Sequence, residues 1–312
     1  MKAIYPDYYK DFKCIADKCR HNCCIGWEID IDSKSLEFYQ SVKGDFGNRL
    51  KENISLESEP HFILKENERC PFLNCQNLCD IYKELGEDKL CQICSDHPRF
   101  YNEFEGKLEA GLGLCCEEAA RLIITKNEPF MLIGEEENPK GILLLRKKVF
   151  RILQNRSLSV SERLNNISSL FGTPVPCFDI FKWTAVFESL ERLDESWTQL
   201  LSKLKTGYGN THRKAFAEFI KQRETEYEQF LCYLVYRHAS KAEFFEDFVL
   251  YTFFSVLSFE LIYNMGAVIF TENGDFTVND QLNIMRLFSS EIEYSDENFD
   301  IILNKLEDEI FI

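Results

Sequence analysis

Cys14-Ile15-Ala16-Asp17-Lys18-Cys19-Arg20-His21-Asn22-Cys23-Cys24 sets four thiols within eleven residues, and it decides how the first third of this chain is read. A second group follows at Cys70, Cys75, Cys79, Cys91 and Cys94, and a third at Cys115 and Cys116. Eleven of the thirteen cysteines therefore fall within the first 116 of 312 residues. An odd count and the vicinal pairs Cys23-Cys24 and Cys115-Cys116 argue against a disulfide framework. Thiolates are soft ligands that select zinc, copper(I) or iron–sulfur clusters. Zinc sites usually show paired C-x2-C knuckles, and only Cys91-x2-Cys94 has that form, so spacing favours iron–sulfur over zinc. Eleven thiols exceed the needs of one tetrahedral site, which leaves one centre with bystanders or two centres. The spacing Cys14-x4-Cys19-x3-Cys23 recurs as Cys70-x4-Cys75-x3-Cys79, either as a degenerate repeat or by chance. His21 and His97 stand beside cysteines as secondary ligand candidates, and Trp27 is either a shield for the metal or an ordinary core residue.

The net charge is −16, and the acidity is spread over the whole chain. That excludes the basic footprint of a nucleic-acid binder or of an anionic-membrane binder. The N-terminus has no apolar signal-like segment, and the longest apolar run, Phe248 to Phe259, is too short for a span and reads as a buried helix. A cytoplasmic protein is expected.

The expected fold class is mainly α: a small loop-rich cysteine-cluster domain with short strands over residues 1–126, then a larger helical domain over 127–312. Asn127–Lys140, with Pro129, Gly134 and Pro139, marks the boundary. Asp32 reads as the N-cap of a helix carrying Leu36 and Tyr39. His61–Leu64 reads as a strand, and Arg99–Glu109 as a hairpin about Glu105-Gly106. A helix is expected just after Cys116. Phe187, Leu190, Leu193, Trp197, Leu200, Leu201 and Leu204 keep one helical period, as do residues from Phe216 to Leu234. Asn273-Gly274 suggests a hairpin turn within Val268–Val278, and Ser295 a cap for the last helix. Cys177 and Cys232 read as buried small hydrophobes, and His61, His212 and His238 as surface or capping residues.

The pieces Phe12-Lys13-Cys14-Ile15-Ala16, Cys23-Cys24-Ile25-Gly26-Trp27, Ile29-Asp30-Ile31-Asp32, Cys70-Pro71-Phe72-Leu73, Leu78-Cys79-Asp80-Ile81, Leu85-Gly86-Glu87, His97-Pro98-Arg99 and Cys116-Glu117-Glu118-Ala119-Ala120-Arg121 occur in one order. With that order and spacing the chain resembles the flagellin lysine N-methylase family. This is a bacterial branch of the cysteine-rich zinc- or iron-chelating proteins with a CxxCxxCC-type signature. The resemblance is specific over about residues 5–125 and thinner afterwards. It implies a [4Fe–4S]-type cluster (zinc being the alternative), S-adenosylmethionine as methyl donor and lysines of flagellin as acceptors. By position the family cysteines are Cys14, Cys19, Cys23, Cys24, Cys70, Cys79, Cys94 and Cys116, whereas Cys75, Cys91 and Cys115 look like extras. Glu117 replaces the proline that usually follows the last of them.

A radical S-adenosylmethionine enzyme would carry C-x3-C-x2-C, and no such triplet occurs. Glu109-Ala110-Gly111-Leu112-Gly113-Leu114 imitates a glycine-rich cofactor loop but lacks the third glycine. No residue stands out as catalytic base or as S-adenosylmethionine ligand. The alternative reading is a non-catalytic iron–sulfur or zinc protein with a structural or carrier role, and a third is an electron-transfer enzyme.

Overall fold

The computed structural model describes residues 3–104, 106–176, 179–207 and 210–311. It is mainly helical, with strands only in short antiparallel pairs. Contacts divide the chain into Lys13–Phe100 and a second unit made of Met1–Phe12 with Tyr101–Ile312. The composition shift suggested a boundary at 126/127, and the contact division falls elsewhere for a local reason. The amides of Ile4 and Ala110 bond to the carbonyls of Leu108 and Ile4, tying the N-terminus to the strand Lys107–Leu112. The helix Glu117–Ile124 then buries Ala119, Ala120, Ile123 and Ile124 against the helices Glu224–Ala239 and Val278–Phe288.

In Lys13–Phe100 the elements are short. Asp32 caps the helix Ser33–Ser41 by accepting the Ser35 amide at 3.0 Å, as expected from its position. The helix Gly44–Glu52 packs beside it. His61–Phe62 is a strand, paired antiparallel with Ile54–Ser55. The core is built from Ile29, Ile31, Tyr39, Leu50, Phe62, Phe72, Leu73 and Ile81 together with two thiols, Cys70 and Cys91. Phe62 sits edge-on to Phe72 at 5.0 Å, and Arg49 lies over the Phe72 ring while bonding to the Asp80 carboxylate at 2.8 Å.

The helical unit is organised on Phe245–Asn273, which packs against the helices Glu195–Gly207, Asn210–Ile220, Glu224–Ala239, Val278–Phe288 and Asp296–Phe311. By length and composition this helix could cross a membrane, yet 83% of its most apolar window is buried within the fold. It is apolar on every side because it has neighbours on every side. Ser295 accepts the Asn298 amide at the start of the last helix, as its position suggested.

Three expectations fail here. Phe187–Leu204 is not one helix: Ile180–Ser189 ends before Leu190, and Glu195–Gly207 starts afresh. The intervening amides of Leu193 and Asp194 are taken by the Glu291 carboxylate, and that of Glu191 by the Asn298 side chain. Asn273-Gly274 turns no hairpin. Gly274 is a left-handed C-cap (φ +71°) ending the long helix, and Thr277 opens the next one with a capping box. A hairpin turn and a helix C-cap both ask for positive φ, so the dipeptide alone does not separate them. The run from Phe216 to Leu234 is likewise two helices, joined by a single-turn 3-10 segment at Lys221–Arg223. Cys232 is fully buried, as expected, while Cys177 lies outside the described residues.

Candidate metal centre

Six thiols of Lys13–Phe100 share one neighbourhood: Cys23, Cys24, Cys70, Cys79, Cys91 and Cys94. Backbone pairing brings two of the loops together. The Cys70 amide donates to the Cys24 carbonyl at 2.9 Å, and the Gly26 amide to the Glu68 carbonyl at 3.1 Å. The third loop is fixed by Asp32, whose second carboxylate oxygen accepts the Gln92 amide at 2.8 Å. These bonds outweigh the effect of burial and hold the Asp32 carboxyl below its ordinary range. Tyr39 completes the support by donating its hydroxyl to the Lys89 carbonyl at 2.8 Å.

The sulfurs interact in pairs. The Cys24 thiol donates to the Cys23 sulfur and the Cys94 thiol to the Cys91 sulfur. Each donor is thereby raised above its ordinary value and each acceptor lowered. Burial pushes Cys70 up to about 11 and raises Cys79. Cys24 feels Cys70 and Cys79 electrostatically, and Cys94 feels Cys24 and Cys70. The donor set suits a soft metal in kind, because it is sulfur throughout and stands on three loops. Among the described residues no three His, Cys, Asp or Glu side chains stand close enough around one point to hold a single ion. To close on one, the thiols must swing about χ1 over a backbone that already gathers them.

The other cysteines named from the sequence lie elsewhere. Cys14 is exposed, and its sulfur accepts the Ala16 amide at 3.4 Å. Cys19 is half-buried and donates to the His21 carbonyl. Cys75 is exposed on a turn organised by the Asn74 side chain, which accepts the amides of Gln76 and Leu78. The repeated spacing therefore places its two copies in unlike surroundings: Cys70 is buried where Cys14 is exposed. Trp27 donates to the Cys23 carbonyl at 2.6 Å and lies 6.4 Å from the His97 ring. Burial lowers His97 to about 4 and keeps it neutral.

Cys115 and Cys116 belong to the helical unit, where Cys116 is the N-cap of Glu117–Ile124. Most of the Gly-rich stretch before them is itself strand, Lys107–Leu112, and only Gly113 and Leu114 lead on toward the helix Glu117–Ile124. Its acid, however, is committed: Glu109 is fully buried and accepts two bonds from the buried Arg146, at 2.7 and 2.8 Å. A Cβ at Gly113 would collide with the Tyr294 hydroxyl, so this glycine is needed for close approach of protein and not of a ligand.

Behind that turn lies a buried polar network not foreseen from the sequence. The Glu293 carboxylate accepts from the Tyr233 hydroxyl (3.0 Å) and His238 Nε2 (2.8 Å), and it pairs with Arg237 at 3.3 Å. Arg237 also donates to the Tyr233 hydroxyl and lies over the Tyr294 ring at 4.6 Å. His238 is thus not a surface or capping residue. Burial lowers it to about 4, and it stacks on Phe299 at 4.7 Å. Burial alone would raise Glu293, but Arg237 and His238 outweigh it and bring the carboxyl to about 2. The π-helical turn Ser289–Glu293 carries both Glu291 and Glu293 to their buried partners, a geometry that hydropathy does not signal.

Residues 175–311, which include this network's Tyr233, Arg237, His238, Glu293 and Tyr294, match the C-terminal domain of FliB lysine N-methylases. Lysine-N-methylases of Salmonella typhimurium and Salmonella choleraesuis each align at 23% identity over 229 residues, 65% of this chain. The chain is thus similar to FliB lysine N-methylases, most directly over residues 175–311. It spans about half the length of those curated relatives, 53% of each. The flagellar biosynthetic protein FliU of Salmonella muenchen is 27% identical over 150 residues, 46% of this chain and 88% of FliU. No solved structure matches. The matched residues 175–311 lie within the helical unit, and the six gathered thiols precede them in sequence.

Proposed function

We propose that this chain is a bacterial, cytoplasmic protein-lysine N-methyltransferase that takes its methyl group from S-adenosylmethionine and acts on flagellin. Similarity to the C-terminal domain of FliB lysine N-methylases, and to relatives named lysine-N-methylases, carries this reading. The name of FliU, a flagellar biosynthetic protein, supports flagellin as the substrate. Methyl transfer to lysine is an in-line displacement by a neutral amine, so a free lysine with a pKa of about 10.4 must first lose its proton. A net charge of −16 favours encounter with a partner that presents lysines.

In this reading the gathered thiols hold an iron–sulfur centre, with Cys23, Cys24, Cys70, Cys79 and Cys94 as the thiols shared by the family pattern and the structure's neighbourhood. A bound centre supplies a cross-link among three loops and a redox-capable metal. Polar methyl transfer requires no electron, so the centre is assigned an architectural role. The test is anaerobically purified protein incubated with S-adenosylmethionine and flagellin, followed by mass spectrometry of flagellin peptides. Methyl increments on lysine are expected, and unmodified flagellin with an intact centre would sink the proposal. A second reading, a metal protein without catalysis, is favoured by the thiols lying outside the matched domain. Absence of S-adenosylmethionine binding by calorimetry would select it.

A further inference from the structure

Lys241 stands just past the helix Glu224–Ala239, and its ammonium lies over the Phe299 ring, 4.6 Å from the centroid. Lys182, Lys203 and Lys205 meet carboxylates, whereas Lys241 meets an aromatic face. Three further rings fix Phe299. His238 stacks on it at 4.7 Å, Phe254 meets it edge-on at 4.9 Å, and Tyr251 lies nearly parallel at 6.5 Å. The rim is acidic. Asp296 and Asp300 are exposed, one turn apart, on the helix Asp296–Phe311 that carries Phe299. Asp300 is an electrostatic neighbour of both the Lys241 amine and the Tyr251 hydroxyl, and Asp296 of the Lys241 amine. Phe244 and Phe245 follow on the same stretch of chain as Lys241 and are 66% and 42% exposed.

Aromatic rings with carboxylates at their edge attract an alkylammonium group, and exposed apolar side chains rimmed by charge mark protein contact. We infer that the corner formed by Phe299, Tyr251, Asp296 and Asp300 is a docking seat for a lysine side chain of the protein substrate, and that Lys241 is its built-in occupant, displaced when the substrate binds. This rests on the reading of the chain as a protein-lysine methyltransferase and adds where the substrate is held. Charge selects the partner: a net −16 and an acidic rim suit a surface that bears lysines. Burial and the nearby Arg237 hold the resident amine below the ordinary lysine value, so its seating is poorly compensated and it gives way. The incoming lysine belongs to a partner large enough to cover Phe244 and Phe245 as well. The seat lies within residues 175–311, the stretch similar to the FliB C-terminal domain.

The experiment measures flagellin binding to the full-length chain by calorimetry at low salt, and KM for flagellin in the methylation assay. The variants are Lys241→Ala, Asp300→Asn and Lys203→Ala, all at exposed positions. Lys241→Ala vacates the seat and is expected to bind flagellin tighter and lower its KM, each on the order of fivefold, the scale of one ammonium–ring contact. Damage to the fold weakens binding and does not tighten it, so the sign separates the two. Asp300→Asn should bind more weakly. Lys203→Ala removes the same charge elsewhere and should match the parent. Flagellin with its lysines acetylated, which removes their charge, should no longer distinguish Lys241→Ala from the parent. Flagellin methylated with a KM that Lys241→Ala does not lower overturns the inference and leaves the methyltransferase reading standing. Flagellin bound tighter by Lys241→Ala but left unmethylated overturns that reading and leaves the seat. No binding of flagellin by any of the proteins overturns both.

Discussion

Lys13–Phe100 and the helical unit close their interiors by different means. The helical unit has a 29-residue apolar helix walled by five others, aromatic contacts such as Phe216 with Phe276 at 5.2 Å, and buried ion pairs joined by two hydrogen bonds. Lys13–Phe100 has helices of nine residues or fewer, two-residue strands, and two thiols where a larger core would place aliphatic side chains. A small unit buries a smaller share of its surface and gains stability from cross-links or metals. The contrast teaches that one chain can hold a large apolar scaffold and a small unit whose core is partly built from sulfur.

The comparison breaks most readily on metal removal. Stripping the proposed centre anaerobically should abolish much of the amide protection in residues 13–100, because metal binding and folding are coupled in small metal-bearing regions. Protection in Glu224–Ala239 and Phe245–Asn273 should persist. Hydrogen exchange read by mass spectrometry checks this, and equal loss in both units would erase the distinction. Next in size, Arg146→Met leaves Glu109 buried and unpaired and should cost about 3–5 kcal/mol in chemical denaturation, with the added change Glu109→Met recovering most of it.

A pH series sharpens the contrast from the helical side. The unfolded chain protonates His238 near 6.5, and the folded chain only near 4. Acid therefore favours the unfolded state. The stabilisation is complete above about pH 6.5 and is lost as pH falls toward 4, by on the order of 3 kcal/mol at about 1.36 kcal/mol per unit. Glu293 extends the loss downward, from its ordinary 4.5 to about 2. The urea midpoint of His238→Gln should be flatter between pH 6.5 and 4 than the parent's, and an unchanged slope would remove the buried histidine from the account. The smallest effect belongs to Asp32→Ala, which orphans the Ser35 and Gln92 amides together and should cost about 1–2 kcal/mol in a thermal melt.

Much of the local structure was legible because its causes are local. Asp32 and Ser295 cap helices through amides three residues on, and the strands Arg99–Phe104 and Lys107–Leu112 flank Glu105-Gly106 as their alternation suggested. The mainly helical class followed from periodicity. What stayed hidden depends on partners distant in sequence. The break at Leu190–Asp194 is made by Glu291 and Asn298, about a hundred residues on. The burial of His238 needs Glu293. Among the cysteines, spacing could not distinguish Cys75 from Cys91, because exposure is set by the path of the loop. Family position favoured Cys14 and Cys19, which the fold leaves exposed or half-buried.

The bond from the Cys70 amide to the Cys24 carbonyl has a consequence for how the loops are gathered. Bringing two distant loops together is an entropic task whose difficulty grows only slowly with the length of chain between them. Ordinary backbone pairing, continued at Gly26 and Glu68, shares that task, so the loops need not be gathered by their sulfurs alone. The Cys91 loop is fastened to Asp32, so each of the three loops has an anchor of its own beside its thiols.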